Sequence, residues 1–409
     1  MSPYAILVGL LVLAWAGDAL ARPGARRAFG LSSGTEFLLA GVLFGPLGMG
    51  LVTRQTLDTL APLTLVAASW LALLAGSRLG LAEERRVPRR RYAQGLAIGL
   101  AVFAVSAALG WILGPQLVAL AEGERLCLAL GLGCAASETA RAAVVWGLQQ
   151  PGARSALHDA LADLAEADDM VPLLGLALLF ALAPQPAGAA LRGAPLVALG
   201  ATLALGFALG AVAAALTRIE ARRTERWGIL LGTALLASGL AMHLGLAAPA
   251  ALGAMGVGLN LLARDGAALR TMLAATQRPV LLPVLALAGA ALDLRDGWAL
   301  WLAAALVVAA RAGVKLPLAA ALRRALAPPA LPSRWVGLTL LSCGPITVCV
   351  GLTAAARFPG PLGRLVLGAC LAAIVAGELL GPPALRRELA RAAPPAADAA
   401  ANLHVAPGP

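Results

Sequence analysis

The sequence predicts an all-α polytopic membrane protein of about 13 transmembrane helices, built as an inverted repeat with two interrupted crossing helices. Three observations predict it. Of 409 residues, 60% are hydrophobic and only 13% charged, with a mean hydropathy of +0.83, more apolar surface than a water-soluble domain can hide. Apolar runs long enough to span a bilayer recur along the whole chain. The arginines fall between those runs with a strong side bias. That placement also turns the net charge of +11 into a topology signal rather than a sign of nucleic acid.

Taken in order, the apolar segments lie near 4–21, 32–53, 59–80, 94–120, 127–148, 157–183, 195–217, 228–244, 247–263, 279–294, 298–322, 335–356 and 362–384. Gly and Pro soften the seventh to tenth. The first ends in Ala19-Leu20-Ala21-Arg22, similar to a signal-peptide cleavage site, but it lacks a basic leading region, so it reads as an uncleaved span with its N-terminus outside. All 31 arginines except Arg141 and Arg311 sit between segments or within three residues of a segment end. On this count six are outside (Arg54, Arg125, Arg192, Arg295, Arg357 and Arg364) and the other 23 are inside. One missed helix would scramble every later loop, so the bias supports the count and places the C-terminus in the cytoplasm.

A repeat is visible as well. Leu39-Ala-Gly41-Val-Leu-Phe-Gly45 resembles Leu252-Gly253-Ala-Met-Gly256-Val-Gly258, and Leu74-Ala-Gly76 resembles Leu287-Ala-Gly289, at spacings of 212 and 213. Cys134 and Cys343 are 209 apart, Asp168 and Glu378 210. Partners lie seven segments apart, an odd number, so the two units enter the membrane from opposite sides. Secondary transporters share this signature and place their sites near the midplane on interrupted helices. The expected division is one transporter domain over 1–391, with repeat units near 32–183 and 247–384, core helices near 94–183 and 298–384, and a disordered cytoplasmic tail at 392–409.

The sixth segment carries the chemistry. A continuous helix over 157–183 puts Asp168 and Asp169 inside the hydrocarbon, where one central Asp costs about 2.5–3.5 kcal/mol. The bland alternative, an acidic loop with the span starting at Met170, leaves a short apolar run. Breaks are expected in the fifth segment, around Gly131-Leu-Gly133-Cys-Ala-Ala-Ser137-Glu138-Thr139-Ala-Arg141, and in the twelfth at Gly344-Pro345, because glycine and proline weaken a helix. A simple kink in each is the alternative. The eleventh segment holds Arg311 and Lys315 one turn apart, and Lys315 is the chain's single lysine. Lysine can give up its proton when desolvated, whereas arginine effectively cannot. The competing reading is a lysine that snorkels to the helix end. Five cysteines in apolar runs and three scattered histidines offer no metal-ligand spacing. Neither a cofactor nor a resident metal is expected.

These residues resemble the monovalent cation:proton antiporter superfamily, in particular the Kef-type and bacterial sodium/proton exchanger branch with paired aspartates. Its carriers are Leu39-Ala-Gly-Val-Leu-Phe-Gly-Pro-Leu-Gly48, Asp168-Asp169, Arg311-x-x-x-Lys315 and the span around Gly344. The resemblance implies a non-enzymatic antiporter in a bacterial inner membrane, exchanging sodium (or lithium or potassium) for protons. Asp169 would bind cation or proton, and Asp168 would pair with Lys315, with Arg311 beside it. Ser137, Glu138, Thr139, Arg141 and Glu378 would support the site. It further implies a homodimer in lipid, with a mobile core sliding on a dimerisation panel. Glu138 and Arg141 depart from the family pattern; three residues apart, they could neutralise each other or alter the substrate. A sodium-coupled symporter of an organic anion is the alternative function, and an intramembrane aspartyl protease is disfavoured because Asp168 and Asp169 share one helix.

Overall fold

The computed structural model describes residues 34–79, 87–141, 143–144, 156–184, 194–219, 222–326 and 333–392, together with Ile6, Val8, Gly9 and Val12. Its regular elements are helices: α1 (Thr35–Phe44), α2 (Arg54–Arg78), α3 (Arg89–Leu117), α4 (Glu122–Ser137), α5 (Ala156–Ala167), α6 (Met170–Leu182), α7 (Pro195–Ile219), α8 (Arg223–His243), α9 (Ala248–Leu262), α10 (Gly266–Ala274), α11 (Gln277–Ala290), α12 (Trp298–Leu326), a 3-10 helix (Val336–Leu340), α13 (Pro345–Arg357) and α14 (Pro361–Ala392). Among the described residues, α2, α3, α7, α12 and α14 are each long and apolar enough to cross a membrane. The pair α10 and α11, bent by 40°, can form a sixth span. The chain is a multi-pass membrane protein.

The thirteen-segment architecture holds. Segments two to thirteen each meet a helix or a broken helix pair. Of the first, only the four named residues are described; all are helical, and Ile6 is buried with Val52, Leu60 and Leu287. Two boundaries differ from the sequence expectation. The last helix continues through Pro382 and Pro383 to Ala392, so most of the expected tail lies outside the described residues. The sixth segment is not one helix, because α5 and α6 are separated by a turn at Asp168 and Asp169. Proline explains it. Pro172 has no N–H to give the carbonyl four residues back, which belongs to Asp168. Val171 takes that carbonyl instead at 3.1 Å, tightening the chain where the two acids sit.

The repeat shows in the packing. α1 lies along α11, and α9 lies along α2. A Cβ on Gly41 would run into the Ala286 backbone, and one on Gly76 into the Gly253 carbonyl. Gly41 corresponds to Gly253, and Gly76 to Gly289, so the two helix pairs are one pairing seen twice. An inverted repeat requires this if each unit lends one helix to the other. Small residues permit such approach in a bilayer, where close packing rather than water exclusion holds helices together.

Candidate functional site

Both predicted breaks are present, and they meet. α4 ends at Ser137, the chain leaves the helix over 138–140, with Glu138 extended, and helical residues resume at Arg141. On the other side the 3-10 helix ends at Leu340, residues 341–344 form no regular structure, and α13 starts at Pro345. The two non-helical stretches touch where the Ala140 N–H donates to the Ser342 carbonyl at 2.8 Å. Four helix ends converge here, two offering free carbonyls and two offering free N–H groups. In hydrocarbon each must find a partner inside the protein.

Two cations serve the carbonyl ends. The Arg311 guanidinium donates to Leu341 at 2.8 Å, to Ser342 at 3.4 Å and to Ala136. Lys315 Nζ donates to the carbonyls of Glu138 at 2.9 Å and Leu340 at 3.1 Å. Both side chains are almost fully buried, and α12 presents them one turn apart. Two carboxylates serve the N–H ends. Glu138 accepts from Ile346 N at 3.0 Å and from Thr347 N and Thr347 Oγ1 at 2.5 Å each, closing the first turn of α13. Asp168 accepts from Thr139 N at 3.1 Å and from the Thr139 hydroxyl. Charges of the right sign thus face each helix pole.

Thr139 also accepts from Lys315 Nζ at 2.8 Å, so one hydroxyl bridges the lysine and the carboxylate. Lys315 Nζ itself stands 3.8 Å from Asp168 Oδ2. Asp169, the next residue, lies on a cavity instead. Its Oδ1 has no hydrogen-bond partner among the described residues. It lines a cavity of about 30 Å³ together with Glu138, Glu166, Arg141, Arg78 and Gln277, room for an occupant about the size of one water molecule. Arg141 meets Glu166 at 3.4 Å, and Arg78 donates to Gln277 at 2.7 Å.

The structure therefore brings Asp168, Lys315, Thr139, Glu138 and Arg311 into one centre, with Asp169 and Arg141 on the adjoining cavity. Ser137 stays with its own helix, donating to Cys134 O at 3.2 Å. Glu378 is buried on α14 but does not line the cavity. Glu138 and Arg141 turn to separate partners, one to α13 and the other to Glu166. Sequence reasoning missed Arg78, Gln277 and the site role of Thr347. Helical spacing reveals Glu166, one turn before Asp169, but Arg78 and Gln277 come from helices distant in sequence and leave no motif.

The sequence matches no family profile and no curated protein. The fold is an all-helical, multi-pass architecture in which two interrupted helices cross at a cluster of buried charges. The structure is similar to that of the sodium proton antiporter MjNhaP1 from Methanocaldococcus jannaschii at pH 8, with a TM-score of 0.68 at 13% identity, over 96% of this chain and 100% of that one. An electron-microscopy structure of the same antiporter aligns with a TM-score of 0.62 at 14% identity, over 93% and 96% of the two chains.

Proposed function

We propose that this protein is a secondary active transporter that exchanges a monovalent cation, sodium first among them, for protons by alternating access. The observation that carries the reading is Asp169, an acid whose Oδ1 has no hydrogen-bond partner among the described residues and which lies on a small cavity with charged side chains in its wall, beside a crossing whose other charges have partners. Its neighbour Asp168 is tied to Lys315 through Thr139. The likeness to a sodium proton antiporter over nearly the whole chain supports the same reading.

In this reading Asp169 binds either a proton or the cation. Two adjacent carboxylates compete for positive charge, so a bound cation disfavours the proton and a bound proton expels the cation. Lys315 joins the competition because it holds Asp168 in one occupancy state and can release it in the other. Exchange results if the loaded core moves and the empty core does not. The mobile core comprises the helices within 94–183 and 298–384, sliding on a panel that contains α2 and α11 and through which two copies dimerise. The protein lies in a bacterial inner membrane with its N-terminus outside and its C-terminus in the cytoplasm.

The test is cation-induced dequenching of a ΔpH-sensitive dye in everted vesicles, with sodium, lithium and potassium in turn. The reading requires dequenching by at least one of them. Uptake of an organic acid that needs sodium and moves no protons replaces it with the symporter. Orientation is tested separately: a reporter after Arg391 should be cytoplasmic and a tag before Pro3 periplasmic. Cross-linking that finds only monomer at every concentration removes the dimer.

A further inference from the structure

The Asp169 cavity carries more charge than one binding carboxylate needs. Its wall holds three acids, Glu138, Glu166 and Asp169, and two arginines, Arg78 from α2 and Arg141 from the interrupted helix. With all five ionised the wall has one uncompensated negative charge, which one proton or one monovalent cation would neutralise. Arg141 and Glu166 meet at 3.4 Å, with the acid buried to 2% exposure and the arginine at 22%. Glu138 is committed to the α13 backbone, so Glu166 is the acid that holds this guanidinium.

We propose that Arg141, held by Glu166 on the wall of the Asp169 cavity, is a tethered counter-cation that competes with the transported cation and sets its apparent affinity. The proposal rests on the exchanger reading and adds a specificity residue to it. A fixed positive charge on so small a cavity repels an incoming cation and an incoming proton alike. Glu166 limits this effect by keeping the guanidinium paired, and without it the arginine is released toward Asp169. The charged and titratable groups facing the pair are Arg78 from α2, Glu138 from the break and Asp169 from the turn. Tyr92 of α3 lies within electrostatic reach of Glu166 and Asp169. α11 and α13 contribute the uncharged Gln277, Pro345 and Ile346.

The pair makes opposite-signed predictions. Arg141→Gln leaves the wall more negative, so the KM for sodium falls about tenfold and the pH profile of exchange moves to more alkaline pH. Glu166→Gln leaves the wall neutral, so KM rises about tenfold and the profile moves to more acidic pH. The double variant brings both back toward wild type. Arg141→Lys keeps the charge and holds KM within about threefold of wild type.

The experiment is sodium/proton exchange by purified full-length protein in liposomes, with KM, maximal rate and pH profile measured for wild type and the four variants. Opposite KM shifts in the two single variants, with recovery in the double, support the proposal. A wild type that exchanges normally while both single variants keep its KM, or shift it in one direction, overturns the proposal and leaves the exchanger reading intact. Loss of exchange in Arg141→Lys at unchanged protein yield also overturns it, by making Arg141 a packing residue. A wild type that exchanges none of sodium, lithium and potassium fails the exchanger reading itself.

Discussion

In the loop between α11 and α12, Asp293 is met by Arg295 at 2.8 Å, Arg54 at 3.1 Å and Arg364 at 3.9 Å. Arg364 also clasps Asp296 through two bonds of 2.7 Å. At the helix crossing Asp168 has one cation among the described residues, at 3.8 Å and bridged by a hydroxyl, and Asp169 keeps an oxygen without a hydrogen bond to any of them. The loop cluster uses arginine in excess, and Arg54 and Arg295 are 50% and 64% exposed. The crossing uses the chain's single lysine in full burial. Exposed arginine pairs are screened and cannot lose their charge, so they can fix a loop but cannot report a proton. Burial around a lysine and two adjacent acids makes the cost of every charge depend on what else is bound.

Asp169→Asn breaks this contrast most severely, because an amide cannot ionise. Exchange falls to background in protein that remains folded and monodisperse, measured by dye dequenching in liposomes. A wild-type rate would move the binding role to Glu138, Glu166 or Glu378.

Lys315→Ala comes next. Removing one partner leaves Asp168 and two helix-end carbonyls without their cation, so stability falls by about 3–5 kcal/mol, read from unfolding in detergent. Lys315→Arg keeps the pair and the fold but changes the pH dependence of exchange, since arginine stays charged.

Glu138→Gln sharpens the comparison by separating a structural carboxylate from a binding one. It retains an acceptor for α13 but loses the charge-assisted strength of three bonds, costing about 1.5–3 kcal/mol. The expected signature is a lower unfolding midpoint, read from thermal unfolding in detergent.

The smallest effects belong to the loop cluster. Arg54→Ala changes stability by no more than about 1 kcal/mol and leaves exchange unchanged. Burial pushes the Asp293 carboxyl up, but hydrogen bonds from Arg295 and the charges of Arg54 and Arg295 outweigh it and hold the group below its ordinary range. Its stabilising contribution is therefore fully present above about pH 4 and lost as pH falls through the lower native value. Removing it in Asp293→Asn should lower stability across the neutral range and flatten that acid limb of the stability curve.

Much of the fold was legible because a bilayer leaves few choices. The apolar runs gave the segments, Pro345 and Gly344 marked one break, and the single lysine marked the charged centre. Pro172 was equally visible as a helix breaker, yet in a continuous apolar run it read as part of the span. Glu138 and Arg141 were recognised as anomalous without their partners being named, since spacing of three suggests pairing on one helix and the chain leaves the helix just there.

The sequence alone determined that the chain crosses a membrane many times and which apolar segments carry paired acids or cations, because inserting a charge into hydrocarbon carries a cost wherever it sits. Tertiary structure alone decided which of those charges are tied down and which faces a cavity. Asp168 and Asp169 are chemically identical neighbours, but a turn set by Pro172 sends one to Thr139 and Lys315 and the other to a wall shared with Glu166, Arg141 and Arg78. The partners that separate them come from helices far apart in sequence, and only packing brings those helices together.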